Sequence, residues 1–336
     1  MSRIAILGAG SWGLTLAWLT SQAGHRVSLW ARSNATIQRL ETNRSIAFPV
    51  TLTLPDEVYL TTDLAEAVEG ADIVILVVTS AGTRSVLEQL SALQALSPSA
   101  VLLNASKGIE YPSLKTLSSV VAEYFPHQPS AVLSGPTLAP EILKGLPTAA
   151  VAACHDQVIA ETLQQALSTD RFRLYTNTDV IGTEMGGSLK NIFAIVSGFM
   201  QAKQLGDNAQ STLITRGLAE MTRFSMGMGA DVQTLYGLSG LGDLLATCNS
   251  PLSRNYQVGY RLAQGQSLET ILAQLNMVAE GVKTTYAVCE LADLHGLDVP
   301  IVRQVRKAFE GDFCEQEIIH TLMSRRLKAE SVKTPV

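Results

Sequence analysis

The chain has 336 residues, and at roughly 150 residues per domain that length predicts two domains, each with its own core. Apolar residues make up 46% and charged residues 16%, which excludes a disordered chain and a small disulfide-stapled module. With 25 basic and 30 acidic residues the formal net charge is −5, so there is no broad cationic field for nucleic acid or an anionic membrane. Any anion must be met at a local site. The continuous apolar runs, such as 73–78 and 192–196, fall far short of the roughly 18 residues a membrane span needs, so no membrane insertion is expected. The N-terminus shows no basic segment, long apolar run and cleavage site, which points to the cytoplasm. Cys154, Cys248, Cys289 and Cys314 are widely separated, and neither they nor the histidines fall into ligand spacing. No metal is expected.

In chain order, short apolar runs alternate with helical patterns from Arg3 to about Asn177. This predicts an α/β Rossmann-type domain over residues 1–180, with a parallel-rich sheet and helices on its faces. Candidate strands are 3–7, 27–30, 73–78, 101–104, 131–134, 149–153 and 172–175. Residues 42–60 contain Pro49 and Pro55 and lack a clean period, which predicts an irregular excursion placed to cover a cofactor. After about Asp179 strand signals disappear, and apolar residues recur at helical spacing, as at Leu213, Leu218 and Met221. An all-α domain over 181–328 and a frayed tail at 329–336 complete the expected layout.

Gly8-Ala9-Gly10-Ser11-Trp12-Gly13 follows the first strand and opens a helical pattern, the context a dinucleotide fingerprint requires. Gly8 suits the tight turn, Gly10 the close approach of backbone to a pyrophosphate, and Gly13 the packing of helix on sheet. About 20 residues on, where an NAD-selective domain places a carboxylate, the chain has Ala31-Arg32-Ser33. Arg32 favours NADP(H) over NAD(H), unless it is a solvated loop charge. The strand at 101–104 ends in Asn104-Ala105-Ser106-Lys107-Gly108, and the strand at 131–134 ends in Ser134-Gly135-Pro136-Thr137. Both carry polar groups to the sheet edge where ligands sit. Lys190 stands among small and apolar residues, as either a proton donor to a developing alkoxide or a snorkelling lysine at a domain junction. Asp243 follows a glycine-rich turn, from which it could orient Lys190 or a substrate hydroxyl. Ser253-Arg254-Asn255 combines an N-cap, a helix start and a guanidinium, the components of a phosphate site.

Together these strings resemble the bacterial-type NAD(P)-dependent glycerol-3-phosphate dehydrogenases, through GAGSWG, NASKG, LSGPT, GGSLKNIFAI, GDNAQSTLITRGLAEM, GLSGLGDLLATC, SRN and VAEGVKT in order. The resemblance implies reversible reduction of dihydroxyacetone phosphate, a small phosphorylated triose, to sn-glycerol 3-phosphate for glycerophospholipid synthesis, by a cytoplasmic homodimer. It places Ser11, Trp12, Arg32, Ala139, Arg254, Val278 and Glu280 on the cofactor, and Lys107 where cofactor and substrate meet. It places Gly135, Thr137, Asp243, Ser253, Arg254 and Asn255 on the substrate and makes Lys190 the proton donor and acceptor, so Lys190, Lys107 and Asp243 form the expected catalytic set. A dehydrogenase for another small β-hydroxy acid would have no use for the Ser253-Arg254-Asn255 site. A nucleotide sensor without turnover would not need both lysines in one cleft.

Overall fold

The computed structural model describes residues 1–48, 50–275 and 279–311. The chain opens with β1 (Arg3–Leu7), α1 (Ser11–Gln22), β2 (Arg26–Trp30) and α2 (Asn34–Thr42), followed by β3 (Ser45–Phe48), β4 (Val50–Thr53), β5 (Tyr59–Thr61) and α3 (Leu64–Val68). Next come β6 (Ile73–Leu76), α4 (Ser80–Leu93), β7 (Val101–Asn104), β8 (Ile109–Glu110), β9 (Lys115–Thr116) and α5 (Leu117–Tyr124). The strand-bearing half ends with β10 (Ser130–Ser134), α6 (Ala139–Leu143), β11 (Thr148–Ala153), α7 (Gln157–Leu167) and β12 (Phe172–Asn177).

Eight of these strands form one sheet in the order β12-β11-β10-β7-β6-β1-β2-β5. Its neighbours run parallel except β10 and β11. The central strands are buried on both faces because alternate residues enter different cores. Ile4, Ile6, Ile73, Ile75 and Leu103 join one cluster, while Ala5, Leu7, Val74, Leu76 and Leu102 join the other. The chain leaves β1 outward to β2 and β5, then returns to β6 on the opposite side. This reversal puts the switch point, where open α/β sheets bind ligands, at the carboxyl ends of β1 and β6.

The expected strands are all present, with ends that differ by up to two residues. One difference is larger. Residues 42–60 are not irregular: β3 and β4 pair antiparallel, and β5 adds to the sheet beside β2. The sheet is parallel-rich as expected, with one antiparallel pairing, between β10 and β11.

From residue 180 onward every described element is helical: α8 (Val180–Ala202), α9 (Gly206–Gly227), α10 (Val232–Tyr236), a π-helical turn (Leu238–Gly242), α11 (Asp243–Cys248), α12 (Arg254–Ala263), α13 (Leu268–Leu275), α14 (Glu280–His295) and α15 (Pro300–Phe309). The predicted tail at 329–336 lies outside the described residues. Every residue from 182 to 195 is buried, so α8 is the axis around which the other helices pack. α12 approaches it closely because Gly259 has no side chain: a Cβ there would stand 1.7 Å from the Ile195 carbonyl oxygen. That approach brings Arg254 and Asn255 to the carboxyl edge of the sheet. No described helix is long and apolar enough to cross a membrane.

Candidate active site

The glycine turn is built as its spacing requires. Gly8 has φ +132° and donates its N–H to the Trp30 carbonyl at 3.0 Å, and a Cβ on it would lie 2.5 Å from the Val77 oxygen at the switch point. A Cβ on Gly13 would stand 1.8 Å from the Gly8 oxygen. Gly10 differs, because a Cβ there meets nothing within 4 Å and its φ of −74° is ordinary. A side chain at Gly10 would project into open space, which leaves room for a ligand to approach the backbone closely. Gly10 caps α1 without a side-chain hydrogen bond, and the first turn holds no acidic residue. An anion placed at this N-terminus would meet free N–H groups and the positive end of the helix, which fits a dinucleotide pyrophosphate.

A charged junction forms where the two halves of the chain meet. Lys107, from the loop after β7, donates to Asp243 Oδ2 at 2.7 Å, to the Gly135 carbonyl at 2.9 Å and to Thr137 Oγ1 at 3.5 Å. Lys190, from α8, donates to Asp243 Oδ1 at 2.8 Å and to Thr247 Oγ1 at 2.7 Å. Asp243 is 1% exposed and Lys190 8%. Two ammonium groups on one carboxylate leave a net positive charge largely out of water, where it acts strongly on a developing oxyanion. Burial pushes Lys107 down to about 8, with Asp243 opposing and the Lys190 charge adding to the fall.

Around this junction the other predicted residues divide. Arg254 reaches back to the dinucleotide turn, with Nη2 at 3.3 Å from Ser11 Oγ, and burial pulls its guanidinium below the ordinary value against the opposing charge of Glu280. Ser253 caps α12 as expected by accepting the Tyr256 N–H, and the helix begins at Arg254. The Asn255 side chain is committed to Asn191 Oδ1 at 2.9 Å and to the Gly281 N–H at 3.0 Å. What α12 offers a ligand is therefore its N-terminus and Arg254. Glu280 accepts the Ser80 N–H at 3.0 Å and the Ser80 hydroxyl at 2.5 Å; burial raises its carboxyl above the usual range, with Ser80 opposing. Trp12 is partly buried against the sheet core, Arg32 is exposed just past β2, and Ala139 opens α6. Val278 lies outside the described residues.

Sequence reasoning missed Thr247, Asn191 and Ser80. Thr247 stands four residues after Asp243, a spacing that places both on one face of α11, so its signal was present. The partnerships of Asn191 with Asn255 and of Ser80 with Glu280 had no such signal. A surface cavity of about 770 Å³ lies at the other end of the sheet, lined by Arg3, His25, Arg26 and Glu57 among others, away from the switch point and the lysines.

Fold and site together define a dinucleotide-dependent oxidoreductase class, and the comparisons with known proteins specify the family. Models described as NAD-dependent glycerol-3-phosphate dehydrogenase N-terminus and C-terminus match residues 3–160 and 179–320. A glycerol-3-phosphate dehydrogenase of Synechococcus sp. (strain JA-2-3B'a(2-13)), named for NAD(P)+, is 45% identical over 327 residues, covering 97% of this chain and 95% of that one. The protein of the same name in Geobacter sulfurreducens is 43% identical, with 98% of each chain covered. The crystal structure of a glycerol-3-phosphate dehydrogenase from Coxiella burnetii superposes with a TM-score of 0.90 at 34% identity, covering 96% of this chain and 99% of that one. The chain belongs to the NAD-dependent glycerol-3-phosphate dehydrogenase family.

Proposed function

We propose that this chain reversibly reduces dihydroxyacetone phosphate to sn-glycerol 3-phosphate with NADPH or NADH. The observation that carries the reading is Asp243 holding both Lys107 and Lys190 at the junction of a dinucleotide fold and a helical half. Gly8, Gly10, Ser11, Trp12 and Gly13 hold the dinucleotide, with Arg32 toward a 2′-phosphate and Ala139, Arg254, Val278 and Glu280 as further contacts. Bound there, the dihydronicotinamide supplies a hydride to the ketone carbon. Lys190 gives its Nζ proton to the substrate oxygen and takes it back in the reverse direction. Asp243 and Thr247 fix the direction of that amine, and Lys107 adds positive charge beside the oxygen. Arg254 and the α12 N-terminus hold the phosphate remote from the reacting carbon, which orients the ketone. Gly135 and Thr137 complete the substrate side, while Ser253 and Asn255 act through α12, the one by capping it and the other by tying it to Asn191 and Gly281.

On this reading residues 1–180 bind the cofactor and residues 181–328 supply the substrate site. The family resemblance supports a cytoplasmic homodimer that feeds glycerophospholipid synthesis. A sensor without turnover would leave two lysines drawn out of water without a purpose.

The test compares oxidation of NADPH and NADH with dihydroxyacetone phosphate and with unphosphorylated dihydroxyacetone, for the wild type and Arg254→Ala. At saturating cofactor, loss of a charge-assisted contact lowers kcat/KM for the phosphorylated ketone by at least about 10-fold and leaves the other little changed. An equal loss for both substrates contradicts the phosphate role.

A further inference from the structure

Lys107 reaches Asp243 from a loop, and the structure shows what holds that loop against α8. The N–H of Gly108 donates to Ser188 Oγ at 2.9 Å, and the same hydroxyl donates to the Glu184 carbonyl at 2.8 Å. Ser188 is fully buried. The bond to Glu184, one turn back in the helix, turns an oxygen lone pair toward the loop. Both directions of the hydroxyl are thus used inside the protein, and Ser188 is not a substrate contact.

The surroundings leave the loop little freedom. Gly108 has φ +147°, and a Cβ on it would lie 3.0 Å from Ser80 Cβ and 3.2 Å from Glu280 Oε2, so other elements crowd the loop there. The stem of Lys107 passes α8 at Gly187, the residue before Ser188, with Cδ 3.5 Å from where a Cβ on Gly187 would stand. Two residues beyond Ser188 on the same helix is Lys190.

We propose that Ser188 is a positioning residue for the reaction: by holding the Gly108 N–H against α8, it fixes where Lys107 presents its ammonium beside Lys190 and Asp243. The inference rests on Lys107 belonging to the reacting site. It assigns no chemistry to Ser188 itself, which acts through its neighbour.

A double-variant cycle tests it. kcat and KM for dihydroxyacetone phosphate are measured at saturating NADPH for the wild type, Ser188→Ala, Lys107→Met and the double variant, with NADPH affinity titrated on the same samples. Since misplacement of a reacting group by about 1 Å costs as much as about 100-fold, Ser188→Ala is expected to lower kcat about 10-fold. NADPH affinity stays within about 2-fold, and in the Lys107→Met background Ser188→Ala causes no further loss, the signature of two residues acting as a unit. An unchanged kcat in Ser188→Ala, or the same fold loss with and without Lys107, overturns the proposal. An unchanged kcat in Lys107→Met overturns the reading of Lys107 and the inference with it. If the alanine variant does not fold, Ser188→Cys, close in size but a poor acceptor, supplies the same comparison.

Discussion

The glycine turn and the Asp243 junction prepare for anions by opposite means. The turn uses uncharged backbone around open space at Gly10, whereas the junction draws three charged side chains together out of water. The first is sensitive to added volume and indifferent to side-chain chemistry; the second is sensitive to a single charge at constant volume. On the proposed reading, cofactor binding and proton transfer are therefore separable by mutation, although both lie at the same edge of the sheet.

The sharpest way to break this contrast is Asp243→Asn, which keeps the shape and removes the charge. The buried Lys190 and half-buried Lys107 ammonium groups then lose their counter-ion. Breaking a buried pair costs about 3 to 5 kcal/mol, so denaturant unfolding shifts by that amount. kcat falls by at least about 100-fold, as for loss of a positioned acid–base group. Unchanged stability would show that the carboxylate does not compensate the lysines.

At the turn the contrast is between two glycines. Gly13→Ala sets a Cβ against the Gly8 oxygen, and such overpacking lowers stability by about 1 to 3 kcal/mol. Gly10→Ala meets no protein atom, so the melting temperature holds while NADPH affinity falls by about 10-fold, or about 1.4 kcal/mol. Equal loss of stability in the two variants would mean that Gly10 is needed for packing and not for a ligand.

The narrowest effect is confined to one phosphate. Arg32→Asp weakens NADPH by about 10- to 100-fold through loss of a charge-assisted contact and new repulsion, and leaves NADH nearly unchanged. Parallel changes in both KM values would remove Arg32 from cofactor choice.

The same contrast explains what could be read from sequence. A turn made of backbone must be written in glycines at fixed spacing beside a strand, so the tight turn at Gly8 and the close packing at Gly13 were legible. A junction made of side chains is assembled by the fold: Lys107 and Lys190 lie 136 and 53 residues from Asp243. Their residue types marked them as candidates, but no periodicity brings them together. β5, with three residues, is too short to show alternation, and the direction of β11 leaves no trace because its burial is the same either way. Asn255 looked free for a ligand, since nothing local reveals its bonds to Asn191 and Gly281.

The separation of binding from chemistry is tested most directly by Lys190→Met, with NADPH affinity and kcat for dihydroxyacetone phosphate measured on one preparation. Methionine retains the length and apolar stem of the lysine and removes only the proton-carrying amine. The expected result is an NADPH Kd within about 2-fold of the wild type and a kcat lower by about 1,000-fold, the range of a positioned general acid. A kcat close to the wild-type value, or a loss of NADPH affinity that accounts for the lost rate, contradicts the account.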